Sequence, residues 1–335
     1  MDLVSKLRPL AVLAVPAVLA AAFGILAPGA AARVQALDVQ TAAAAGIAAD
    51  GASVVAEQQV DARTLDITIS SPAVGTDVQV RLLLPPGWSP SASRTWPVLY
   101  LLHGCCDTYQ GWTQNTNVAQ VTQGAPVLIA IPDGGPVGFY SNWLSGANWE
   151  TFTATELPQI LRSGFRASSL QAIAGVSTGG GAALFIAAHD PGAYTAVASY
   201  SGMDCASLPS TVTLILTTVA RAGIFPDFLW GDPLLQLPVW QQHDPCFLAP
   251  SLRGSELFLS VGSGLTASGG DTTCPTGGNI LESAVALSVY ALAARLTSLG
   301  IPYTPDFYSG GCHSWPYWQT EFGKSWPMLE AALGS

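Results

Sequence analysis

Hydrophobic and polar residues alternate over residues 64–70, with Leu65, Ile67 and Ile69 apolar, which is the period of a half-buried strand. Residues 78–84 alternate at first and stop at Pro85-Pro86-Gly87. The two segments predict an antiparallel pair at a sheet edge. Further along, the apolar runs become continuous, at residues 98–102 after Pro97 and at 127–131. Continuous runs suit strands covered on both faces, as in a parallel sheet. Residues 170–174, 194–200, 257–261 and 303–308 predict the remaining strands. Helices are predicted over 149–161, 179–189 and 280–299. In the first of these Trp149, Phe152 and Ile160 share a face, and Pro158 predicts a kink. Strand and helix alternating in this way predict an α/β fold, a mostly parallel central sheet with helices on both faces. Residues 208–250 break the alternation and carry Trp230, Trp240 and several prolines. They predict an inserted cap, about 205–250, over a site. The sequence has no internal repeat.

The N-terminus has a different pattern. Lys6 and Arg8 precede an uncharged run over residues 9–27, and small residues follow at Ala30, Ala31, Ala32 and Ala36. This predicts a secretory signal peptide over residues 1–32, cleaved after Ala32 or Ala36. The competing reading is an uncleaved N-terminal anchor, but Pro16, Gly24 and Pro28 interrupt a spanning helix. No second stretch is read as long and apolar enough to span a bilayer, so no stable span is expected after cleavage. Residues 33–59 are Ala-rich and predict a leader, with the folded domain running from 60 to 335.

Composition narrows the function. Of the 335 residues, 49% are hydrophobic and 10% charged, which excludes global disorder. The net charge is −10, and Lys6 and Lys324 are the two lysines of the chain. An anionic chain without a basic run is a poor partner for nucleic acid or anionic lipid headgroups. Six cysteines in an exported chain predict disulfides, with 15 full pairings open for Cys105, Cys106, Cys205, Cys246, Cys274 and Cys312. Neither Cys-x-x-Cys nor a His pair at ligand spacing occurs, so no metal site and no cofactor is implied.

The chemistry is concentrated on one predicted turn. Gly175-Val176-Ser177-Thr178-Gly179 follows a predicted strand and opens a predicted helix, the nucleophile-elbow pattern G-x-S-x-G. A Ser on so sharp a turn needs neighbours without side chains, and the helix N-terminus aims N–H groups at a developing oxyanion. An ordinary glycine-rich strand–helix turn is the alternative. Ser177 needs a base, which in this arrangement lies near the end of the chain. His313, directly after the last predicted strand, meets that condition. His103 and His189 read as structural, and His243, in the cap segment, as polar surface. The acid is expected after the strand at 257–261, where spacing leaves Asp271 and Glu282 open, with Asp204 as a more distant third. The oxyanion donors are expected to be the amides of Thr178 and Cys105.

Several segments in order resemble the antigen 85 mycolyltransferases and the wider esterase-D-like α/β hydrolases. They are Leu101-Leu102-x-Gly104 with Tyr109-x-Gly111-Trp112, Phe139-Tyr140-Ser141 with Trp143, and Trp149-Glu150-Thr151-Phe152 with Glu156-Leu157-Pro158. The Ser177 elbow, His243-Asp244-Pro245 and His313-Ser314-Trp315-x-Tyr317-Trp318 complete the series. The resemblance implies an α/β-hydrolase fold, Ser177 as acyl-enzyme nucleophile and His313 as base. It also implies a Glu acid from a Leu-Glu pair, matching Leu281-Glu282. The mycolyltransferases carry an Asp before the first-loop Gly and an Arg soon after, and these hold a trehalose head. This chain has His103 and Cys106 there, so trehalose is not the expected acceptor. Trp315 and Trp318, with the apolar cap, are expected either to bind substrate or to be core.

Three readings follow. A secreted serine esterase would give the acyl group to water. An acyltransferase would share the acyl-Ser177 intermediate and use a sugar or lipid hydroxyl. A non-catalytic secreted binding protein on the same scaffold is the third, and Ser177, His313 and Glu282 together argue against it. The expected partner is a small-molecule or lipid acyl ester.

Overall fold

The alternating pair becomes β2 (Thr64–Ser71) and β3 (Thr76–Leu83), antiparallel and in register from Thr64 opposite Leu83 to Ser71 opposite Thr76. The computed structural model describes residues 46–265 and 274–334. The signal segment and the start of the leader lie outside these residues. The end of the leader does not match its expectation, because Ser53–Gln59 is a strand, β1, paired antiparallel with β2. Ahead of it, the Ile47 N–H bonds Ser163 Oγ and the Ala49 N–H bonds Gln159 Oε1. The ordered body therefore starts before residue 60. The strand escaped notice because Glu57, Gln58 and Gln59 dilute the apolar signal at a sheet edge.

The continuous apolar runs form β4 (Trp96–Leu102), β5 (Leu128–Pro132), β6 (Ala167–Val176), β7 (Tyr194–Tyr200), β8 (Glu256–Gly262) and β9 (Thr304–Tyr308). The sheet order is β1-β2-β3-β5-β4-β6-β7-β8-β9. β5, β4, β6, β7, β8 and β9 run parallel, and β3 joins them antiparallel. Period-two side chains split the core into two layers. One holds Val98, Tyr100, Leu102 and Ile173 against the helices Thr178–His189 and Gly278–Ser298. The other holds Leu99, Leu101, Ala172 and Ala174 against Trp318, Phe322, Trp326 and Leu329 of the helix Trp315–Ala332. That C-terminal helix is not among the predicted elements, and it contains Pro316 and Pro327. Pro316 occupies its first turn, where a missing N–H costs nothing, and Pro327 is carried inside it.

Where Pro158 predicts a kink, the helix has a π-helical turn, Phe152–Glu156, between Trp149–Thr151 and Leu157–Gly164. Proline withdraws one N–H from the helical ladder, and a wider turn just before it accommodates the lost bond. The helix Gly278–Ser298 is long and apolar enough by composition to cross a bilayer, contrary to the expectation of no such stretch. In the fold Val285, Val289, Leu292 and Leu296 are buried on the sheet, which accounts for the apolarity.

Between β7 and β8 the alternation breaks, as predicted. Helices Pro209–Arg221, Asp227–Trp230, Leu237–Gln242 and Pro245–Leu248 replace a single crossover helix. Ile215, Val219, Leu229, Trp230 and Trp240 from these helices pack on Val137, Phe139 and Met203 as a separate small core. The Cys205–Cys246 disulfide closes the segment on itself.

Candidate active site

The site lies at the carboxyl ends of the parallel strands, where an α/β sheet opens a crevice. β6 ends at Val176, and Ser177 follows with φ 56° and ψ −123°, a left-handed conformation that a side chain rarely adopts. The surroundings enforce it. A Cβ at Gly175 would lie 2.1 Å from the Gly179 carbonyl oxygen, and one at Gly179 would lie 2.3 Å from the His103 carbonyl oxygen. The Ser177 N–H is held by the Tyr200 carbonyl at 2.9 Å. The two glycines of the motif are therefore steric requirements of the elbow, as the sequence predicts.

His313 follows β9 and reaches Ser177. Its Nε2 accepts from the Ser177 hydroxyl at 2.8 Å, and its Nδ1–H donates to Glu282 Oε2 at 2.9 Å. A carboxylate on Nδ1 selects the tautomer with Nε2 free to accept. Glu282 is fully buried on the second turn of the helix Gly278–Ser298. Its other oxygen, Oε1, accepts from the Ser201 hydroxyl and the Gly262 N–H, both at 2.8 Å. A buried carboxylate survives only when so partnered. Of the acids left open by spacing, Glu282 is the one on His313 among the described residues. Asp271 lies outside the described residues. Asp204 is elsewhere, beside Ser199, whose hydroxyl donates to its Oδ1 at 2.8 Å. Burial pushes the Asp204 carboxyl up to about 7.

Two supports of this chain went unpredicted. Ser201 sits at φ 48° just past β7, donates to Glu282 and accepts from the Trp318 indole N–H at 3.2 Å. Nothing in the sequence marks this Ser, because its role depends on two strands and two helices meeting. The second is the Cys274–Cys312 disulfide, which ties the residue before His313 to the approach of the Glu282 helix. The His313 N–H also bonds the Gly278 carbonyl at 3.1 Å. His313 and the Glu282 helix are thus anchored to each other twice, besides the hydrogen bond between the two side chains.

His103 and His189 are structural, as expected, whereas His243 is not the polar surface residue expected of the cap segment, because the fold buries it against Trp230. His103 is buried, with Nδ1–H donating to the Gly104 carbonyl at 2.8 Å and Nε2 accepting from the Gly134 N–H at 3.1 Å. His189 bonds Glu150 and the Gln242 carbonyl, and the Glu150 carboxylate raises its pKa. His243 stacks on Trp230 with centroids 4.8 Å apart, and burial lowers its pKa.

Ser177 and His313 open onto a cleft of about 400 Å³. Trp315 and Trp318 line it, with Leu281 and Met203. Trp318 meets the His313 ring edge-on, and Trp315 packs on Trp112 while its indole N–H bonds Asp107 Oδ2 at 3.0 Å. The expected oxyanion loop is here too. Gly104 passes so close that a Cβ on it would lie 2.9 Å from Ser177 Cβ. Cys105 and Cys106, adjacent in sequence, are bridged to each other and line the same cleft. Thr218 and Arg221 of the cap complete its rim.

The chain is similar to known proteins. The Esterase family model matches residues 71–328. The diacylglycerol acyltransferase/mycolyltransferase Ag85B of Mycobacterium intracellulare is 29% identical over 286 residues, covering 80% of this chain and 83% of that protein. Ag85B of Mycobacterium leprae is 30% identical, covering 71% and 76%. Among solved structures, Mycobacterium tuberculosis MPT51 (FbpC1) superposes with a TM-score of 0.65 at 21% identity, covering 78% of this chain and 96% of that one. By this match the chain belongs to the Esterase family, with the antigen 85 and esterase-D-like α/β hydrolases, and is an ester hydrolase or acyltransferase.

Proposed function

We propose that the protein hydrolyses carboxylic esters through an acyl-Ser177 intermediate. The observation that carries this reading is the unbroken hydrogen-bond chain Ser177–His313–Glu282, at 2.8 and 2.9 Å, on the floor of the cleft. His313 Nε2 takes the Ser177 proton as Oγ attacks the ester carbonyl. The tetrahedral oxyanion forms against the N–H groups of Thr178 and Cys105, donors that in measured enzymes contribute about 10²–10³ each in rate. His313 then protonates the leaving alcohol, and Glu282 stabilises the imidazolium through both steps. Water, deprotonated by His313, attacks the acyl group and frees Ser177.

Transfer to a sugar or lipid hydroxyl is the second reading, favoured by the names of the relatives, which are acyltransferases. Hydrolysis is preferred because the first loop offers no free polar fork to an acceptor. His103 has both ring nitrogens committed, and Cys106 is bridged to Cys105. An inert binding protein would have no use for a buried carboxylate on an imidazole on a strained Ser. Export to an oxidising compartment is part of the proposal. It rests on the basic-then-apolar start of the chain and on the disulfide pairing of all described cysteines.

The test is turnover of a series of p-nitrophenyl esters by the wild type and by Ser177→Ala. The variant should lose about 10⁴-fold or more in kcat/KM. A fluorophosphonate should label Ser177 covalently. Equal turnover by the variant would remove Ser177 from the mechanism. Growth of an acyl-alcohol product at the expense of free acid, with trehalose or glycerol added, would replace hydrolysis by transfer.

A further inference from the structure

The two halves of a bound ester leave Ser177 in different directions. His313 Nε2 must hand its proton to the leaving oxygen, so the alcohol lies on the His313 side of the cleft. The acyl chain is left with the other side, toward the cap. Met203, just past β7, lines the cleft there. Its backbone is pinned to the elbow. The Met203 N–H bonds the Ser177 carbonyl at 3.3 Å, and a Cβ on Gly181 would lie 2.8 Å from the Met203 carbonyl oxygen. The residue is buried and belongs to the small core of the cap, with Phe139, Ile215 and Trp230.

A second cavity adjoins this wall, between the elbow helix and the cap. Phe139, Phe185, Ile215 and Trp230 give it an apolar lining, and Thr178 and His243 are its polar members. Among the described residues, Met203 is the one that lines both this cavity and the cleft. The two spaces differ greatly in size. The cleft holds about 400 Å³ and the inner cavity about 10 Å³, room for a single water and not for a methylene chain. A straight acyl chain that reaches Met203 therefore stops there. Its alternative is to turn outward along the cap rim, past half-buried Thr218 and exposed Arg221, where further methylenes stay in water and add no binding. Because the Met203 backbone is fixed by the elbow, shortening its unbranched side chain would join the two spaces without moving the main chain.

We propose that Met203 is the specificity-determining residue for the acyl half of the substrate: its side chain closes the cleft against the inner cavity and restricts the enzyme to short straight acyl groups, of butyryl size or smaller. The wall stands one hydrogen bond from the Ser177 backbone, which is why the limit is short. This rests on the acyl-Ser177 reading and goes beyond it by naming the substrate's acyl class.

The decisive pair is p-nitrophenyl butyrate and p-nitrophenyl hexanoate, which share one alcohol and differ by two methylenes on the acyl side. For the wild type, kcat/KM for the hexanoate should be no more than about twofold above that for the butyrate, because the added methylenes are not buried. Met203→Ala vacates Cγ, Sδ and Cε and should raise the hexanoate-to-butyrate ratio by about tenfold. Met203→Val removes less of the packing and should move the ratio the same way, by about threefold. The ratio is the readout because a general loosening of the elbow slows both esters alike. Propaneboronic and pentaneboronic acids, in which boron replaces the acyl carbon, extend the test to the wild type alone. Their inhibition constants should agree within about threefold, whether or not either variant folds. A wild-type ratio of about tenfold or more, pentaneboronic acid binding tighter by a similar factor, or a ratio unchanged in a folded variant overturns the proposal. Turnover of neither ester also overturns it. In that case fluorophosphonate labelling of Ser177 would leave the acyl-enzyme reading standing, and absence of labelling would remove both.

Discussion

The elbow and the cap face the same cleft and are built in opposite ways. Around Ser177 the side chains of Ser177, His313 and Glu282 all have assigned hydrogen-bond partners. A Cβ at Gly175 or Gly179 would fall within 3 Å of backbone, Glu282 has three hydrogen-bond partners, and a disulfide ties the residue before His313 to the approach of the Glu282 helix. The cap has a small core of its own and a largely apolar exterior, with Leu234 88% exposed, Leu235 80% and Phe225 61%. The contrast teaches where this fold concentrates order. Proton transfer tolerates little displacement, so its residues are over-determined by packing and hydrogen bonds. A cap that covers or contacts substrate needs no such constraint, and its exposed side chains can change at little cost to stability.

The contrast is sharpest at Glu282, the proposed acid. Glu282→Gln should keep the fold and lower kcat by about 10³–10⁴-fold, because a neutral amide no longer charges or orients the imidazole. Asp271→Asn should leave kcat within about twofold on the same reading. Steady-state kinetics on one p-nitrophenyl ester decide it, and a large loss in Asp271→Asn would reassign the acid.

At the junction of the two regions stands Asp204, buried, one residue before the Cys205 end of the cap disulfide. Its folded pKa is raised to about 7 by burial, above the ordinary carboxylate value of 3.8. A raised carboxyl pKa favours the neutral form in the fold. The stability it contributes is present below pH about 4 and declines as pH rises through about 7. Asp204→Asn should therefore match the wild type at pH 4 and melt higher at pH 8, by a margin corresponding to about 1 kcal/mol or more. Equal melting temperatures at both pH values would mean that the carboxylate is satisfied when ionised.

The smallest effect belongs to the cap surface. Leu234→Ser should change stability by no more than about 0.5 kcal/mol, since the side chain is already in water. A cooperative loss of stability in denaturant melts would show that the cap exterior is as constrained as the elbow.

Much of this was legible in the sequence. The buried strands announced themselves by continuous apolar runs, and Ser177 by two glycines between a strand and a helix. His313 followed from its position after the last strand. Those features are local, and local sterics or periodicity suffice to read them. β1 and the C-terminal helix were missed for equally local reasons, a polar edge strand and two prolines whose positions a helix can bear.

What only the tertiary structure decided depends on residues distant in sequence. Spacing could not separate Glu282 from Asp271, because both follow β8; the register of one long helix places Glu282 on His313. The three disulfide pairs, among 15 possible pairings, were chosen by which cysteines the fold brings together. Ser201 became a support of the acid because β7, β8 and two helices converge on it. Sequence by itself determined which chemistry this protein carries, since the reacting groups and the turn that presents one of them are local. The partners that orient those groups were decided by long-range packing, which fixes distances that no spacing along the chain encodes.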